Sequence, residues 1–353
     1  MSFAGLKRLL DQKHNPPAPA TESFAGRVVL VTGATGGLGM EAAKKIALLG
    51  PDKLIITARN EAKGQTARRE IEAFVKSVPS RGSSKGIEII PMVLDMSSFA
   101  GVQQFVDTLQ ARFPNIDAAL LNAGTMPSKY MQSKDGWEEA LQVNALSTFL
   151  LGVLLLPLLK AAADVGKLYK PHLTFVSSGT AWIIKPEKLG QLINSEAPLE
   201  DLNDPKNFPS TLVGAQNQYA RSKLVLEYAV RHLAATPSLK HDNGEVKVVV
   251  NTVCPGMCKS DLGRQVTSNF LVKLLSWIVF TFFARSASDG VNAFTMALTL
   301  GDESHGEMWK NDRVFETGPM NTTGEGRKFG DRVWDEFRQV ILKADARTKP
   351  FLS

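Results

Sequence analysis

The segment Thr32-Gly33-Ala34-Thr35-Gly36-Gly37-Leu38-Gly39 decides the fold prediction for this chain of 353 residues. It follows an apolar run at 28–31 that predicts a buried parallel strand, and it leads into residues 40–49, which predict an amphipathic helix. A strand, a glycine turn and a helix in this order place backbone N–H groups and a helix N-terminus against a phosphate. The glycine spacing differs from the Gly-x-Gly-x-x-Gly of the commonest dinucleotide-binding fingerprint.

Apolar runs and amphipathic segments alternate along most of the chain. This alternation predicts an α/β fold, a single Rossmann-type doubly wound parallel sheet with helices on both faces. We expect a dinucleotide at the carboxyl ends of the strands. The predicted strands are 28–32, 53–57, 88–94, 118–122, 172–176 and 246–253, and the predicted helices lie near 38–49, 61–77, 98–112, 135–164 and 216–235.

The predicted organisation has three parts. An N-terminal extension at 1–25 precedes a catalytic domain at 26–300, and a C-terminal extension follows at 301–353. Two regions of the catalytic domain interrupt its alternation: an insertion at 179–216, rich in Pro, Asn and Ser toward its end, and a substrate lid at 257–284.

The window 270–283 is the most apolar of the chain. It is shorter than the roughly 20 apolar residues that span a bilayer, and Lys273 interrupts it. A lid over an apolar substrate pocket, a peripheral membrane contact, a homodimer surface and a core helix all stay open as interpretations. The other very apolar stretch, residues 149–159, predicts a buried helix.

Composition excludes several classes of function. The net charge of +6 is spread along the chain without a basic stripe, which argues against nucleic-acid binding. The five histidines have no zinc-ligand spacing, so we expect no metal site. Cys254 and Cys258 could form a redox or metal pair, but two buried apolar side chains in a reducing compartment are favoured. Residues 1–25 lack a secretory signal, so we expect a cytoplasmic protein, with contact to an intracellular membrane left open.

Arg59 lies 20 residues past the last glycine of the turn, just after the second predicted strand. An acid there would hold the ribose 2′-hydroxyl of NAD, whereas an Arg accepts the 2′-phosphate of NADP. Arg59 therefore favours NADP(H), with a solvated surface Arg as the alternative. Asp95, after the third strand, is placed to bind an adenine amino group or simply to cap a helix.

Tyr219 and Lys223 are spaced i, i+4 and share one face of a predicted helix. A phenol with its ordinary pKa near 10 is a poor acid–base catalyst at neutral pH. A nearby ammonium favours the phenolate and lowers that pKa. The pair can then give a proton to a carbonyl oxygen, or take one from an alcohol, as hydride moves.

Three more motifs follow predicted strands: Asn122-Ala123-Gly124, Ser177-Ser178-Gly179 and Pro255-Gly256. With the glycine turn at 32–39 and the Tyr–Lys pair, their order resembles the short-chain dehydrogenase/reductase family over residues 26–300. The Thr57-Ala58-Arg59 sequence is similar to that of NADP-using members. The C-terminal tail is similar to the retinol-dehydrogenase-like and fungal secondary-metabolism branches.

The resemblance implies a tetrad of Asn144, Ser178, Tyr219 and Lys223. Tyr219 would be the acid/base, and Lys223 would bind the nicotinamide ribose and lower the tyrosine pKa. Ser178, favoured over Ser177, would hold the substrate oxygen, while Asn144 would stabilise a bent helix and a proton-relay water. The predicted cofactor contacts are Thr32, Gly33, Thr35, Gly37, Leu38, Gly39, Arg59, Asp95, Asn122, Ala123, Gly124, Tyr219, Lys223, Pro255, Gly256 and Ser260.

The predicted function is NADP(H)-dependent interconversion of a carbonyl and an alcohol on a hydrophobic small molecule, as a reductase in secondary metabolism. An epimerase or dehydratase on the same scaffold and a cofactor-binding regulator are the alternatives. The resemblance also implies a homodimer or homotetramer. The link between Ser178 and Tyr219 is long for the family, and we expect the extra segment to pack over the substrate entrance.

Overall fold

The strands form one sheet of an α/β fold. A computed structural model describes residues 3–78, 86–166, 169–208, 212–259, 281–315 and 318–352. In chain order the strands are β1 (Val28–Val31), β2 (Lys53–Ala58), β3 (Glu88–Val93), β4 (Ala118–Leu121), β5 (His172–Val176), β6 (Val249–Val253), β7 (Met308–Lys310) and β8 (Arg313–Val314).

The strands lie in the order β3-β2-β1-β4-β5-β6-β7-β8. Neighbouring strands are parallel except for the last pair, in which Trp309 faces Val314 in an antiparallel register. The change of direction on either side of β1 creates the crevice in which doubly wound sheets bind nucleotides. The predicted fold class is confirmed, and the sheet contains two short C-terminal strands that the sequence pattern did not reveal.

Helices cover both faces of the sheet, and a separate apolar cluster fills each interface. The first five helices are α1 (Phe3–His14), α2 (Gly37–Leu48), α3 (Glu61–Ser77), α4 (Phe99–Arg112) and α5 (Glu139–Leu141). A π-helical stretch, Gln142–Ser147, joins α5 to α6 (Thr148–Asp164). The remaining described helices are α7 (Pro198–Asn203), α8 (Leu212–Ala234), α9 (Ala287–Gly290), α10 (Asn292–Ala297), α11 (Pro319–Thr322), α12 (Gly324–Ala344) and α13 (Lys349–Leu352).

Helix α6 is the apolar helix that the sequence predicts to be buried. The stretch Glu139–Asp164 is apolar and long enough to cross a membrane, but 83% of its most apolar window is buried inside the protein. A Cβ atom at Gly152 would lie 2.5 Å from the Phe175 ring, so this glycine lets α6 approach β5 closely. The prediction of a buried core helix at 149–159 is confirmed.

The insertion after β5 packs mainly on the C-terminal helix α12. Glu336 of α12 accepts a hydrogen bond from the Leu199 backbone N–H at 3.0 Å, and Arg332 donates to the carbonyl oxygens of Ile193 and Ser195. On the sheet side of α12, Phe337 meets Phe149 edge to face, with ring centres 5.3 Å apart. The middle of the insertion therefore binds α12, and the expectation that the extra segment packs over the substrate entrance stays a prediction.

The N-terminal segment returns to the body of the protein. Asn292 donates a hydrogen bond to the Pro17 carbonyl at 2.7 Å, and the buried Arg285 donates to the Gln12 carbonyl. Lys13 reaches the Thr281 carbonyl at 2.6 Å. Most of the predicted lid at 257–284, and the window 270–283 except its last three residues, lie outside the described residues.

Candidate active site

The predicted site residues converge on one cleft along the carboxyl edge of the sheet. The loops after β1, β2, β3, β4, β5 and β6 form its floor, and α8 crosses one side. Ser260 lies outside the described residues, and two other predicted residues, Thr32 and Asn144, lie beneath the floor. The predicted residues that line the cleft are Gly33, Thr35, Gly37, Leu38, Gly39, Arg59, Asp95, Asn122, Ala123, Gly124, Ser178, Tyr219, Lys223, Pro255 and Gly256.

The glycine turn forms a cradle that fits a pyrophosphate. Gly33 has a φ of +68°, and a Cβ atom at Gly39 would lie 2.2 Å from the Gly33 carbonyl oxygen. The residue that precedes α2, Gly36, has no side chain to cap the helix, so the N–H groups of its first turn are left for a ligand. These backbone donors suit the anionic part of a nicotinamide dinucleotide.

Two threonines fix the turn in place. Thr57, at the end of β2, accepts a hydrogen bond from the Gly33 N–H at 3.1 Å. The Thr32 hydroxyl accepts hydrogen bonds from the N–H groups of Asn122 and Ala123, at 2.9 and 3.0 Å. Thr32 is fully buried and does not reach the cleft, so it positions the Asn122 loop rather than contacting the ligand.

Arg59 is an exposed cation at the far end of the cleft, where β2 ends. Lys63, one turn into α3, lines the same end and was not singled out in the sequence. Asp95 does not cap α4, because Ser98 takes that position and accepts from the Gly101 N–H. Burial opposes ionisation of Asp95, but hydrogen bonds from Ser97 outweigh it and lower the pKa of the carboxyl.

Tyr219 lies on α8 with its phenol beside Ser178. Burial raises the pKa of Tyr219 to about 12, although the hydrogen bond with Ser178 acts in the opposite direction. The Lys223 ammonium is 5.9 Å from the centre of the Tyr219 ring. In this structure the pKa is therefore raised by burial, and the expectation that Lys223 lowers it stays a prediction.

Lys223 is buried between the loops after β4 and β5. It donates a hydrogen bond to the Val176 carbonyl at 2.7 Å, and a Cβ atom at Gly124 would lie 3.9 Å from its Nζ atom. Burial lowers the pKa of Lys223 to about 8, against the attraction of Glu227. The ammonium thus lies beside both the phenol and the Asn122-Ala123-Gly124 loop.

Asn144 lies in the π-helical stretch, fully buried beneath the cleft. Its Oδ1 atom accepts from the Thr125 N–H at 2.8 Å, and its Nδ2 atom donates to the Thr125 carbonyl at 2.9 Å and to the Ser222 hydroxyl at 3.0 Å. Asn144 thereby ties the irregular helix to α8 one residue before Lys223.

The sequence analysis missed a buried carboxyl group, that of Glu227, which connects Ser177 to Trp182. Glu227 accepts a hydrogen bond from the Ser177 hydroxyl at 2.5 Å and another from the Trp182 indole at 2.8 Å. Burial raises the pKa of Glu227 to about 8, although both donors and Lys223 lower it. Because Ser177 is turned toward Glu227, Ser178 is the serine that faces Tyr219. An acid four residues after Lys223 on the same buried helix face was the available signal.

The loop after β6 completes the cleft. Gly256 has a φ of +76°, and a Cβ atom there would lie 2.7 Å from Oε1 of Gln12, which also lines the cleft. Cys254 and Cys258 are both free and buried, and burial raises the pKa of the Cys258 thiol to about 12. In the described part of the chain, no three His, Cys, Asp or Glu side chains are grouped as metal ligands.

A glycine cradle on a parallel sheet, with a Tyr–Ser–Lys group at the adjacent strand ends, defines a dinucleotide-dependent oxidoreductase. Residues 27–178 match the family described as short chain dehydrogenase. The chain is 36% identical to the short-chain dehydrogenase/reductase phmF of Phaeosphaeria nodorum, over 97% of this chain and 94% of that protein. It is also 36% identical to the short-chain dehydrogenase/reductase ffsI of Aspergillus flavipes, over 97% and 93% of the two chains.

The chain belongs to the short-chain dehydrogenase/reductase family, whose members are oxidoreductases acting on CH–OH groups with a nicotinamide cofactor. Its fold is similar to that of a short chain dehydrogenase from Escherichia coli complexed with NADPH. That structure has a TM-score of 0.55 at 22% identity and covers 84% of this chain and 100% of its own. The Pseudomonas aeruginosa RhlG/NADP complex gives a TM-score of 0.57 at 21% identity, over 81% and 94% of the two chains.

Proposed function

We propose that this protein is an NADPH-dependent carbonyl reductase that acts on a largely apolar small molecule in fungal secondary metabolism. The observation that carries the proposal is the Tyr219 phenol, hydrogen-bonded to Ser178 in the cleft that begins at the glycine turn. A carbonyl oxygen placed between these two hydroxyl groups would accept a hydrogen bond from each of them. A reduced nicotinamide bound in the cleft would supply the hydride for the carbonyl carbon.

The choice of NADP rests on charge at the end of β2. Arg59 and Lys63 line the cleft where a doubly wound fold places the 2′-position of the adenosine ribose. A guanidinium pairs with a phosphate through two charge-assisted hydrogen bonds, whereas a ribose hydroxyl gains much less from it. The NADPH and NADP complexes of the similar structures support the same choice.

The protonation state of Tyr219 supports the reductive direction. Reduction needs a neutral phenol that gives its proton to the developing alkoxide, while oxidation needs a phenolate that takes a proton from the alcohol. Because burial raises the pKa of Tyr219 to about 12, the neutral form dominates near pH 7. The neutral phenol is the form that reduction requires, which supports this direction.

Apolar side chains favour a largely apolar substrate. Met126, Met131 and Val143 line the cleft, and so do Trp182 and Phe315, whose rings stack on each other. The fungal sources of the relatives, Phaeosphaeria nodorum and Aspergillus flavipes, support a role in secondary metabolism. Cytoplasmic location, membrane contact through 270–283 and a homodimer or homotetramer stay predictions.

The test is transfer of label from NADPH deuterated at nicotinamide C4 to a panel of aromatic and aliphatic aldehydes and ketones. We expect deuterium on the carbinol carbon of the product, from one face of the nicotinamide. Product without label would contradict net hydride transfer and favour an epimerase or dehydratase. Tight NADPH binding without turnover of any probe would favour the regulator instead.

A further inference from the structure

Lys310 lines the cleft, and the proposed reaction gives its positive charge no role. It is the last residue of β7, whose Trp309 pairs with Val253 at the carboxyl end of β6. This register brings Lys310 to the edge of the sheet that carries Ser178. The Lys310 Nζ atom would lie 3.0 Å from a Cβ atom built on Gly179, the residue that follows Ser178.

A tight turn holds Lys310 in this position. Asn311 and Asp312, with φ of 51° and 57°, form the two-residue connection of the β7–β8 hairpin. Left-handed backbone at both positions is the geometry of a type I′ turn, which Asn and Asp tolerate. Asn311 accepts a hydrogen bond from buried Arg285 at 3.0 Å, and Asp312 accepts one from the Ala18 N–H at 2.8 Å. The hairpin is thus fixed on both sides.

The Lys310 ammonium contacts aromatic faces rather than acceptor oxygens. Its Nζ atom lies 5.2 Å from the ring centre of Trp182 and 4.7 Å from that of Phe315. These two rings stack on each other 4.4 Å apart. Within the described ranges, no carboxylate lies within ion-pair distance of Lys310 and no oxygen accepts a hydrogen bond from it. A partly buried ammonium in this setting attracts an anion.

The cofactor cannot be the source of that anion. In the strand order, β7 lies four strands from β1, which carries the pyrophosphate cradle, and five from β2, which carries Arg59. At about 4.8 Å per strand, these separations are ~19 Å and ~24 Å. Lys310 is therefore on the substrate side of Ser178, away from the phosphates of the dinucleotide.

We propose that Lys310 binds a carboxylate of the substrate, so that the enzyme reduces an aldehyde or ketone carrying this anionic group on an otherwise flat, apolar body. The inference rests on the proposed function and adds a charge requirement to its apolar substrate. The body of the molecule would pack on the stacked Trp182 and Phe315 rings, with the carbonyl directed to Ser178 and Tyr219. Lys310 would then select among substrates that share the same reacting group.

The experiment compares 4-formylbenzoate with its methyl ester, using NADPH and the full-length protein. Lys310→Met removes the charge and keeps the apolar stem, while Lys310→Arg keeps the charge. We expect Lys310→Met to lower kcat/KM for the carboxylate by ~10–100-fold, as loss of a charged hydrogen bond implies, and to leave the ester nearly unchanged. Lys310→Arg should retain most of the preference. Lys188→Met, an exposed lysine outside the cleft, is the matched control.

Equal effects of Lys310→Met on the two probes, or no effect on either, would overturn the proposal. Calorimetric binding of benzoate and methyl benzoate to the complex with NADP⁺ gives a second readout that needs no turnover. If the wild type reduces neither of these aldehydes nor any other carbonyl compound of the panel, the proposed function fails. The anion site still stands if benzoate binds and Lys310→Met abolishes that binding, and it falls if the variant binds benzoate as the wild type does.

Discussion

The two sides of the cleft are built in different ways. On the cofactor side, each binding residue closely follows the strand that positions it. Gly33 follows β1, and Arg59 follows β2. The substrate side joins Trp182, from the start of the insertion, to Lys310 and Phe315, from the C-terminal hairpin. These segments are more than a hundred residues apart in sequence, and only packing brings them together.

This difference separates what binds the common cofactor from what selects the substrate. Backbone N–H groups and glycines form the pyrophosphate cradle of the cofactor side, and their geometry is set by local chain conformation. Side chains form the substrate side, and contacts between distant segments hold them, since Glu227 binds the Trp182 indole and Arg285 binds Asn311 beside Lys310. A substitution on one side should therefore change the affinity for the ligand of that side and leave the affinity for the other ligand nearly unchanged. Residues that join the two sides are the exception.

The largest effect is expected at Tyr219, where both ligands meet. Tyr219→Phe removes the proton donor and keeps the ring, so the reduction rate should fall by ~10²–10⁴-fold, the usual contribution of a positioned general acid. NADPH affinity, measured by fluorescence titration, should change little. Turnover close to that of the wild type would show that another group donates the proton.

A smaller effect, limited to cofactor binding, is expected from substitution of Arg59. Arg59→Ala should raise the KM for NADPH by ~10–100-fold through loss of charge-assisted phosphate contacts, with little change in the KM for NADH. The KM for the carbonyl substrate should stay constant, because Arg59 lies at the far end of the cleft. Arg68→Ala is the control, since Arg68 is exposed on α3 and paired with Glu72. Equal changes for both cofactors would refute the phosphate contact.

The smallest effect is expected at Glu227, which joins the two sides. Glu227→Leu leaves the Trp182 indole and the Ser177 hydroxyl without their acceptor, at a cost of about 1–3 kcal/mol for each buried group. We expect the KM for the carbonyl substrate to rise by about 10-fold and the KM for NADPH to rise less. Glu227→Gln, which keeps an acceptor oxygen, should restore most of the loss. An equal rise in both KM values would indicate instead that Glu227 stabilises the fold as a whole.

Part of the fold could be predicted because its signals are local. The central strands and helices match the expected segments within a few residues, and the sixth strand starts at Val249 rather than 246. Strands β7 and β8 were missed because three and two residues are too few for a periodic pattern. The Asn311-Asp312 pair between them was the available turn signal.

Prediction of the site from the sequence has the same limit. Tyr219, Lys223 and Ser178 could be predicted from spacing and motif, but the environment of the phenol could not, because burial depends on residues distant in the chain. Nor could Glu227 be assigned a role, since its two hydrogen-bond donors come from Ser177 and Trp182 on another segment.

The sequence by itself determined the class of sheet, the pyrophosphate cradle and the chemical groups of the Tyr–Lys–Ser centre. These properties follow from periodicity and from residue types at short, fixed spacings. Only the tertiary structure decided how burial changes the pKa of the Tyr219 phenol, and that Lys310 contacts the Trp182–Phe315 stack near Ser178. Such properties depend on desolvation and on contacts between distant segments, which no local pattern encodes.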